Sequence, residues 1–254
     1  MKVLAIIPAR GGSKGFPGKN LAKVGGKSLF EHAASVLNKT KTVNRIIVST
    51  DSEKIAEHAQ TIGLEVPFMR PAELAEDAVT DCPVFQHALS WLKNTDNYIP
   101  DIIVQVAIVA PFAFKRNQEG TGNMSSTWNY IPRDTIIDQV VSMLSEKKGL
   151  DSVRTVHIQR ETPYTMWKFD GDQIHPFIDT MAEEIYNMPR QKHPPVYLQN
   201  GYAIASRYQT IMEKNSMHGE AIGGYVVDCD YFVDIDHYED IELAELLYQQ
   251  IMKG

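Results

Sequence analysis

Cysteine is scarce. The 254 residues hold two, Cys82 and Cys229, too few for a disulfide framework and without the spacing of a metal site. They read as small buried hydrophobes in a reducing compartment. Long hydrophobic runs are also missing: the longest, residues 102–114, is interrupted by Gln105 and is too short to cross a bilayer. The chain passes from Lys2 straight into the apolar run Val3–Ile7, with no extended leader, so a cytoplasmic location is expected. Nor is there an excess of positive charge. The 25 Lys+Arg stand against 32 Asp+Glu, a net charge of −7, so neither nucleic acid nor an anionic membrane is an expected partner. Any bound phosphate must then be held by a local basic cluster.

What is present is an alternation of apolar strands and amphipathic helices. Residues 3–7 and 45–49 read as strands buried on both faces, and 101–109 as a third at the sheet centre. Val66–Phe68 reads as a short strand. Helices are expected over 28–37, from a Thr50…Glu53 capping box to Gly63, over about 81–93, over about 134–147 with Asp134 as N-cap, and over 238–252. A strand is expected over 151–156 and another over 225–235. This order predicts an α/β fold with a mostly parallel sheet. Residues 113–133 are polar and aperiodic and read as a long loop or lid. Residues 159–200, rich in Pro and aromatics, read as an antiparallel arm. The expectation is one domain over 1–254 carrying the insert and the arm.

The most informative segment is Pro8-Ala9-Arg10-Gly11-Gly12-Ser13-Lys14-Gly15-Phe16-Pro17-Gly18-Lys19-Asn20. It follows the first parallel strand, where α/β sheets bind ligands. Its four glycines let backbone N–H groups approach an anion, and Arg10, Lys14 and Lys19 add charged donors. A plain basic surface loop is the alternative. The segment is not a Walker A loop, since Ser13 stands in place of the first glycine and Asn20 in place of Ser/Thr, and G-x-G-x-x-G is absent. Near the other end, Asp234 and Asp236 flank Ile235. On a strand both carboxylates share a face, which suits Mg²⁺ with phosphate oxygens, though Asp236…Glu239 could equally cap the last helix. The histidines show no ligand spacing, and none is assigned.

The basic loop, the Ser49-Thr50-Asp51 strand end and the Arg70-Pro71-x-x-Leu74-Ala75-x-Asp77 turn resemble the acylneuraminate cytidylyltransferases (CMP-sialic acid synthetases). Arg190-Gln191-x-x-Pro194, Gln199-Asn200-Gly201 and Asp234-Ile235-Asp236 extend the resemblance in the same order along the chain. It implies a Rossmann-like nucleotidyltransferase fold, with an antiparallel arm that reaches a partner's site in a homodimer, and dimers could pair into tetramers. It implies transfer of a nucleotidyl group, from CTP above all, to a sialic-acid-like sugar, giving a CMP-sugar and pyrophosphate with Mg²⁺ as cofactor. Arg10 and Lys19 would be catalytic. Arg10, Gly11, Gly12, Ser13, Lys19, Asn20, Arg70, Asp77 and Gln105 would hold the nucleotide, and Asp234 and Asp236 the metal.

Candidate acceptor contacts are Tyr186, Arg190, Gln191, Gln199 and Asn200; Arg190 and Gln191 suit a carboxylate or phosphate plus hydroxyls. The chain departs from the family after Gln105, where a Gln-Pro-Thr-Ser-Pro-Leu-Arg segment is replaced by Gln105-Val106-Ala107-Ile108-Val109-Ala110-Pro111-Phe112. Lys115, Arg116, Ser125, Ser126 and Arg133 are the residues that could replace the lost donors, and Ile131-Pro132-Arg133-Asp134 could resume the pattern. A sugar 1-phosphate enzyme using another nucleotide such as GTP, or a nucleotide-binding homologue without turnover, remain the alternatives.

Overall fold

The computed structural model describes residues 1–12, 16, 18–118, 124–178 and 184–252. Strand β1 (Val3–Pro8) is buried almost throughout, as its unbroken apolar run requires. The basic loop leads into a small hairpin, β2 (Lys23–Val24) and β3 (Lys27–Ser28), and then α1 (Leu29–Leu37). Ser28 and Glu31 close a capping box at its start, with Glu31 N–H donating to Ser28 Oγ at 3.1 Å and Ser28 N–H to the Glu31 carboxylate at 2.6 Å. Next come β4 (Arg45–Ser49), α2 (Glu53–Thr61), α3 (Asp81–Asp96) and β5 (Ile102–Gln105). They are followed by β6 (Ala113–Gln118), β7 (Met124–Tyr130), α4 (Arg133–Glu146) and β8 (Ser152–Ile158). The chain then forms β9 (Trp167–Asp170), β10 (Gln173–Pro176), β11 (Tyr197–Arg207) and α5 (Tyr208–Met212). Strands β12 (Ile222–Val226) and β13 (Tyr231–Phe232) and helix α6 (Tyr238–Met252) complete it.

Six strands make the central sheet in the order β12-β8-β11-β5-β1-β4. All its pairings are parallel except those of β11, which runs against both β5 and β8. The mostly parallel α/β fold is therefore present. One face buries Phe30, Leu37, Phe114, Val140, Leu144 and Tyr202 beneath α1 and α4. The other buries Leu4, Ile6, Phe85, Leu89 and Ile103 beneath α3. Each such side chain contributes on the order of 1.5–3 kcal/mol. No helix among the described residues is long and apolar enough to cross a membrane.

Several sequence expectations need correction. Ser52, not Thr50, caps α2, because Thr50 Oγ accepts from Ser52 N–H at 3.1 Å and is already engaged. Val66–Phe68 is not a strand; only Glu65 and Met69 on either side form single bridges to β4 and its end. The 101–109 strand stops at Gln105, where the chain turns away from the sheet. Within 113–133, residues 113–118 and 124–130 are not loop but strands β6 and β7, paired antiparallel and joined by β13, while residues 119–123 lie outside the described residues. Backbone pairing supplies the order that side-chain periodicity concealed. Helix α4 begins at Arg133, so Asp134 lies in its first turn rather than at its cap. The 225–235 strand is two short ones, β12 and β13.

Arg133 explains the turn after β5. Its side chain is fully buried, and its guanidinium donates to the carbonyls of Tyr202 (2.6 Å), Ala110 (2.8 Å), Ala107 (2.9 Å) and Gly201 (2.9 Å). Burial brings its pKa down to about 10, which still leaves it charged at neutral pH. It ties the start of α4 to the segment after β5 and to β11. It is thus a fastener of the frame and not a free donor for a ligand.

Candidate active site

The basic loop leaves β1 at the C-terminal end of the parallel strands and folds back on itself. Asn20, buried, donates its amide to the Arg10 carbonyl at 3.0 Å. Gly11 N–H donates to Asp51 at the end of β4 at 2.9 Å. Gly18 turns the chain with φ +76°, a left-handed conformation that glycine adopts without strain. A cavity of about 220 Å³ results, bordered by Arg10, Gly11, Gly18, Lys19 and Asn20 and, across from them, by Ser52 and Lys54 at the start of α2. A concavity with three cations and backbone donors suits a polyanion. Lys54 was missed in the sequence; its place in the first turn after β4 was the available signal. Ser13 and Lys14 lie outside the described residues, and Gly12 has open space before its Cα.

The strand ends next to the loop carry the other nucleotide candidates. The Arg10 guanidinium pairs with Asp77 at 2.7 Å. Arg70 is buried and donates from Nε to Ser49 Oγ at 3.1 Å and from Nη2 to the Ser49 carbonyl. Burial pulls its pKa down, opposed by the charges of Asp51 and Asp81. Gln105 donates to Asp81, the first residue of α3, at 2.7 Å. Arg10, Gly11, Lys19, Asn20, Arg70, Asp77 and Gln105 are therefore gathered around the ends of β1, β4 and β5, with Asp51 and Asp81 as acids that spacing alone did not reveal.

The carboxylate pair reaches the same place from the far end of the chain. Lys19 Nζ donates to Asp236 Oδ1 at 3.0 Å. Asp234 and Asp236 are not within a strand but in the extended segment after β13, whose Val233 and Ile235 N–H groups donate to Phe112 and Val109 carbonyls (3.0 and 2.9 Å). Val233 and Ile235 are buried, so the two aspartates project together from the opposite side. Burial and the charge of Asp236 raise the Asp234 pKa, and Lys19 opposes this. Asp240 caps the following turn, accepting from the N–H groups of Asp236 (2.8 Å) and His237 (2.7 Å), so the helix-start alternative falls to Asp240 rather than to the 236–239 pair.

Asp234 also borders a second cavity of about 310 Å³, with His157, Gln159, Arg160, Gln199 and Tyr231. His157 stacks on Phe232 with ring centroids 5.6 Å apart, and burial lowers its pKa. Asn200 sits within the β11 irregularity between Gln199 and Ile204. Its Oδ1 accepts from Thr155 Oγ1 at 2.5 Å, so its Nδ2 faces His157 Nδ1 at 3.2 Å as donor. The neutral imidazole then carries its proton on Nε2. Asn200 is buried and reaches this cavity only through His157, whereas Gln199 lines it directly. Tyr186, Arg190 and Gln191 are not among its lining residues. Tyr186 packs on Trp167 at 4.7 Å, Arg190 donates to the Arg160 carbonyl at 2.6 Å, and Gln191 is exposed. Of the insert's donors, Lys115 pairs with Asp228 and Arg116 lies over the Trp128 ring at 4.6 Å; the side chains of Ser125 and Ser126 lie outside the described residues.

A family model described as Cytidylyltransferase matches residues 4–117. The chain is 37% identical over 198 residues to an 8-amino-3,8-dideoxy-manno-octulosonate cytidylyltransferase of Shewanella frigidimarina, covering 78% of this chain and 74% of that protein. It is 44% identical over 77 residues to a CMP-N,N'-diacetyllegionaminic acid synthase of Legionella pneumophila, covering 30% of this chain and 33% of that one. For that relative and two further ones the match spans only a third to a half of their own length, 33–49%. Among solved structures, a CMP:2-keto-3-deoxy-manno-octonic acid synthetase complexed with CTP superposes with a TM-score of 0.67 at 15% identity, over 98% of this chain and 99% of that one, a likeness of fold. At that identity and coverage of the Shewanella frigidimarina protein, the chain belongs to the cytidylyltransferase family.

Proposed function

We propose that the protein transfers a cytidylyl group from CTP to the hydroxyl of a sialic-acid-like 2-keto sugar acid, releasing pyrophosphate. The observation that carries this reading is the Lys19–Asp236 pair, which brings the phosphate loop and the carboxylates into one cluster. The acceptor oxygen forms a bond to the α-phosphorus, the bond to the β-phosphate oxygen breaks, and the hydroxyl proton leaves to solvent. Arg10, Lys19 and Lys54 hold the triphosphate and offset the charge that builds on the departing pyrophosphate. Arg70 and the turn ending at Asp77 border the base, and Gln105 stands between nucleotide and acceptor. Gln199, His157 and Arg160 form the acceptor wall.

The donor set fits Mg²⁺: two exposed carboxylates on one side of the chain, one with a raised proton affinity, with Lys19 as the cation opposing them. Asp234 and Asp236 would hold it. Bound there, Mg²⁺ would neutralise phosphate charge and orient the triphosphate.

The arm supports a homodimer. Phe169 is 81% exposed and Phe177 59%, with Ile174, Trp167 and Met166 beside them in sequence also exposed. A face of this kind favours burial against a second copy, which would bring Tyr186, Arg190 and Gln191 to the partner's acceptor cleft. Pairs of dimers would make a tetramer, and the cytoplasm, where CTP is made, is the place of action. The test is pyrophosphate release with CTP, GTP, UTP or ATP, with Mg²⁺ or with EDTA, across eight- and nine-carbon 2-keto sugar acids. Turnover restricted to CTP with Mg²⁺ is expected; turnover of a sugar 1-phosphate with another triphosphate, or none at all, overturns the reading.

A further inference from the structure

A cavity of about 270 Å³ lies between α1, the segment after β5, the end of β7 and α6, and none of the nucleotide, metal or acceptor residues lines it. Its wall is aromatic. Phe112 stands 5.5 Å from Tyr248 and 6.1 Å from Tyr130, and His32 meets Phe112 edge-on at 4.9 Å. The wall is preformed. His32 is fixed by donating Nε2–H to the Val24 carbonyl at 2.8 Å, and Tyr248 packs directly on Gly25, where a Cβ would stand 2.0 Å from Tyr248 Cε1. Burial lowers the pKa of His32, so at neutral pH the ring is an uncharged part of this wall.

Two cations line the same cavity, Lys27 from β3 and Lys39 after α1, both exposed. Neither forms an ion pair among the described residues. Glu245 neighbours His32, yet its carboxylate is engaged by Gly25 N–H at 2.6 Å and by Gln249 Nε2 at 3.0 Å. The combination is a ring-lined hollow with two lysines at its rim that make no direct ion pair among the described residues.

We propose that this cavity is a second small-molecule site, separate from the active cleft, that takes a flat aromatic body carrying an anionic group. Rings favour an apolar, planar body by edge and face contacts, and the lysines favour a carboxylate, sulfonate or phosphate on it. The size admits about one or two fused rings.

The probe is anilinonaphthalene sulfonate, titrated by fluorescence against the full chain, with uncharged N-phenylnaphthylamine as its counterpart. A saturable component is expected that disappears in Ser35→Trp, which fills the cavity from α1. Replacing both cations, Lys27→Ala with Lys39→Ala, is expected to weaken the sulfonate about tenfold, the sum of two exposed charge contacts, and to leave the neutral dye within about twofold. Saturating CTP with Mg²⁺ should not displace the component. Because both lysines are exposed, the double variant decides the matter even where the tryptophan disturbs folding. An unchanged titration in folded Ser35→Trp, equal effects of the lysine pair on both dyes, no effect on either, or displacement by CTP each overturns the assignment.

Discussion

Lys19 and Asp236 lie 217 residues apart in the chain and 3.0 Å apart in space. Lys19 is largely covered while Asp236 is open to solvent, with side-chain exposures of 16% and 63%. An exposed partner makes this a weak contributor to stability and a ready contributor to charge placement. Lys19→Met should therefore lower turnover by about 100-fold or more while moving stability by less than about 1 kcal/mol. Asp236→Asn should behave alike, and the double variant should lose less than the product of the two. Pyrophosphate release and urea unfolding on the same preparations check this, and additive losses would separate the two roles.

Arg133 predicts the opposite balance. Arg133→Met leaves four backbone carbonyls without their buried donor, and a loss of about 3 kcal/mol or more is expected. Arg133→Lys keeps the charge but cannot match the planar fork, so it should recover only part of that. Urea midpoints measure both.

Asp151 governs a pH dependence. Its carboxylate accepts from Lys214 Nζ (2.7 Å) and from the N–H groups of Glu220 (3.0 Å) and Ala221 (3.2 Å), which hold its pKa below the ordinary 3.8. A depressed carboxyl stabilises the fold fully above its unfolded value and loses that contribution as pH falls through the folded one. The stability difference between the protein and Asp151→Asn should thus be constant from pH 7 to about 5 and shrink below pH 3.8. Urea titrations at stepped pH test it, and a gap that grows on acidification would refute it.

The arm predicts an association change. Phe169→Asp with Phe177→Asp places charge on the two most exposed large apolar side chains among the arm's described residues. Dimer dissociation should rise at least about 30-fold, read by sedimentation, with the monomer still folded. Unchanged association would remove the arm from the interface.

The fold was legible where hydrophobicity had a period. β1 is buried on both faces and reads as an unbroken apolar run, β4 reads as a strand from its Ile46–Val48 core, and α1 carries its capping box in plain Ser-x-x-Glu form. The β6–β7 hairpin was not legible, because a strand such as Ala-Phe-Lys-Arg-Asn-Gln is ordered by pairing with β7 and β13 rather than by its own side chains. In the site, the glycines and cations of the loop announced an anion, and the alternation around Ile235 put two aspartates on one side. Asp51 was legible only as part of the strand-end motif, and Asp81 and His157 stayed hidden because each acts through a neighbour distant in sequence, while Lys54 stayed hidden in an ordinary charged helix start. The burial of Arg133 was equally hidden: an arginine in a polar stretch gives no sign that its partners are carbonyls.

The reversed course of β11 has a mechanical consequence. β8 leaves the sheet at Ile158 and β11 enters it at Tyr197, and these two residues face each other in the ladder, just beyond the His157–Leu198 and Val156–Gln199 pairs. The arm between them is therefore a loop of rope with both ends tied to one cleat. A pull on the arm loads the rungs that carry His157 and Gln199 first, so its seating on another body is felt at the cleft before it is felt anywhere else in the sheet.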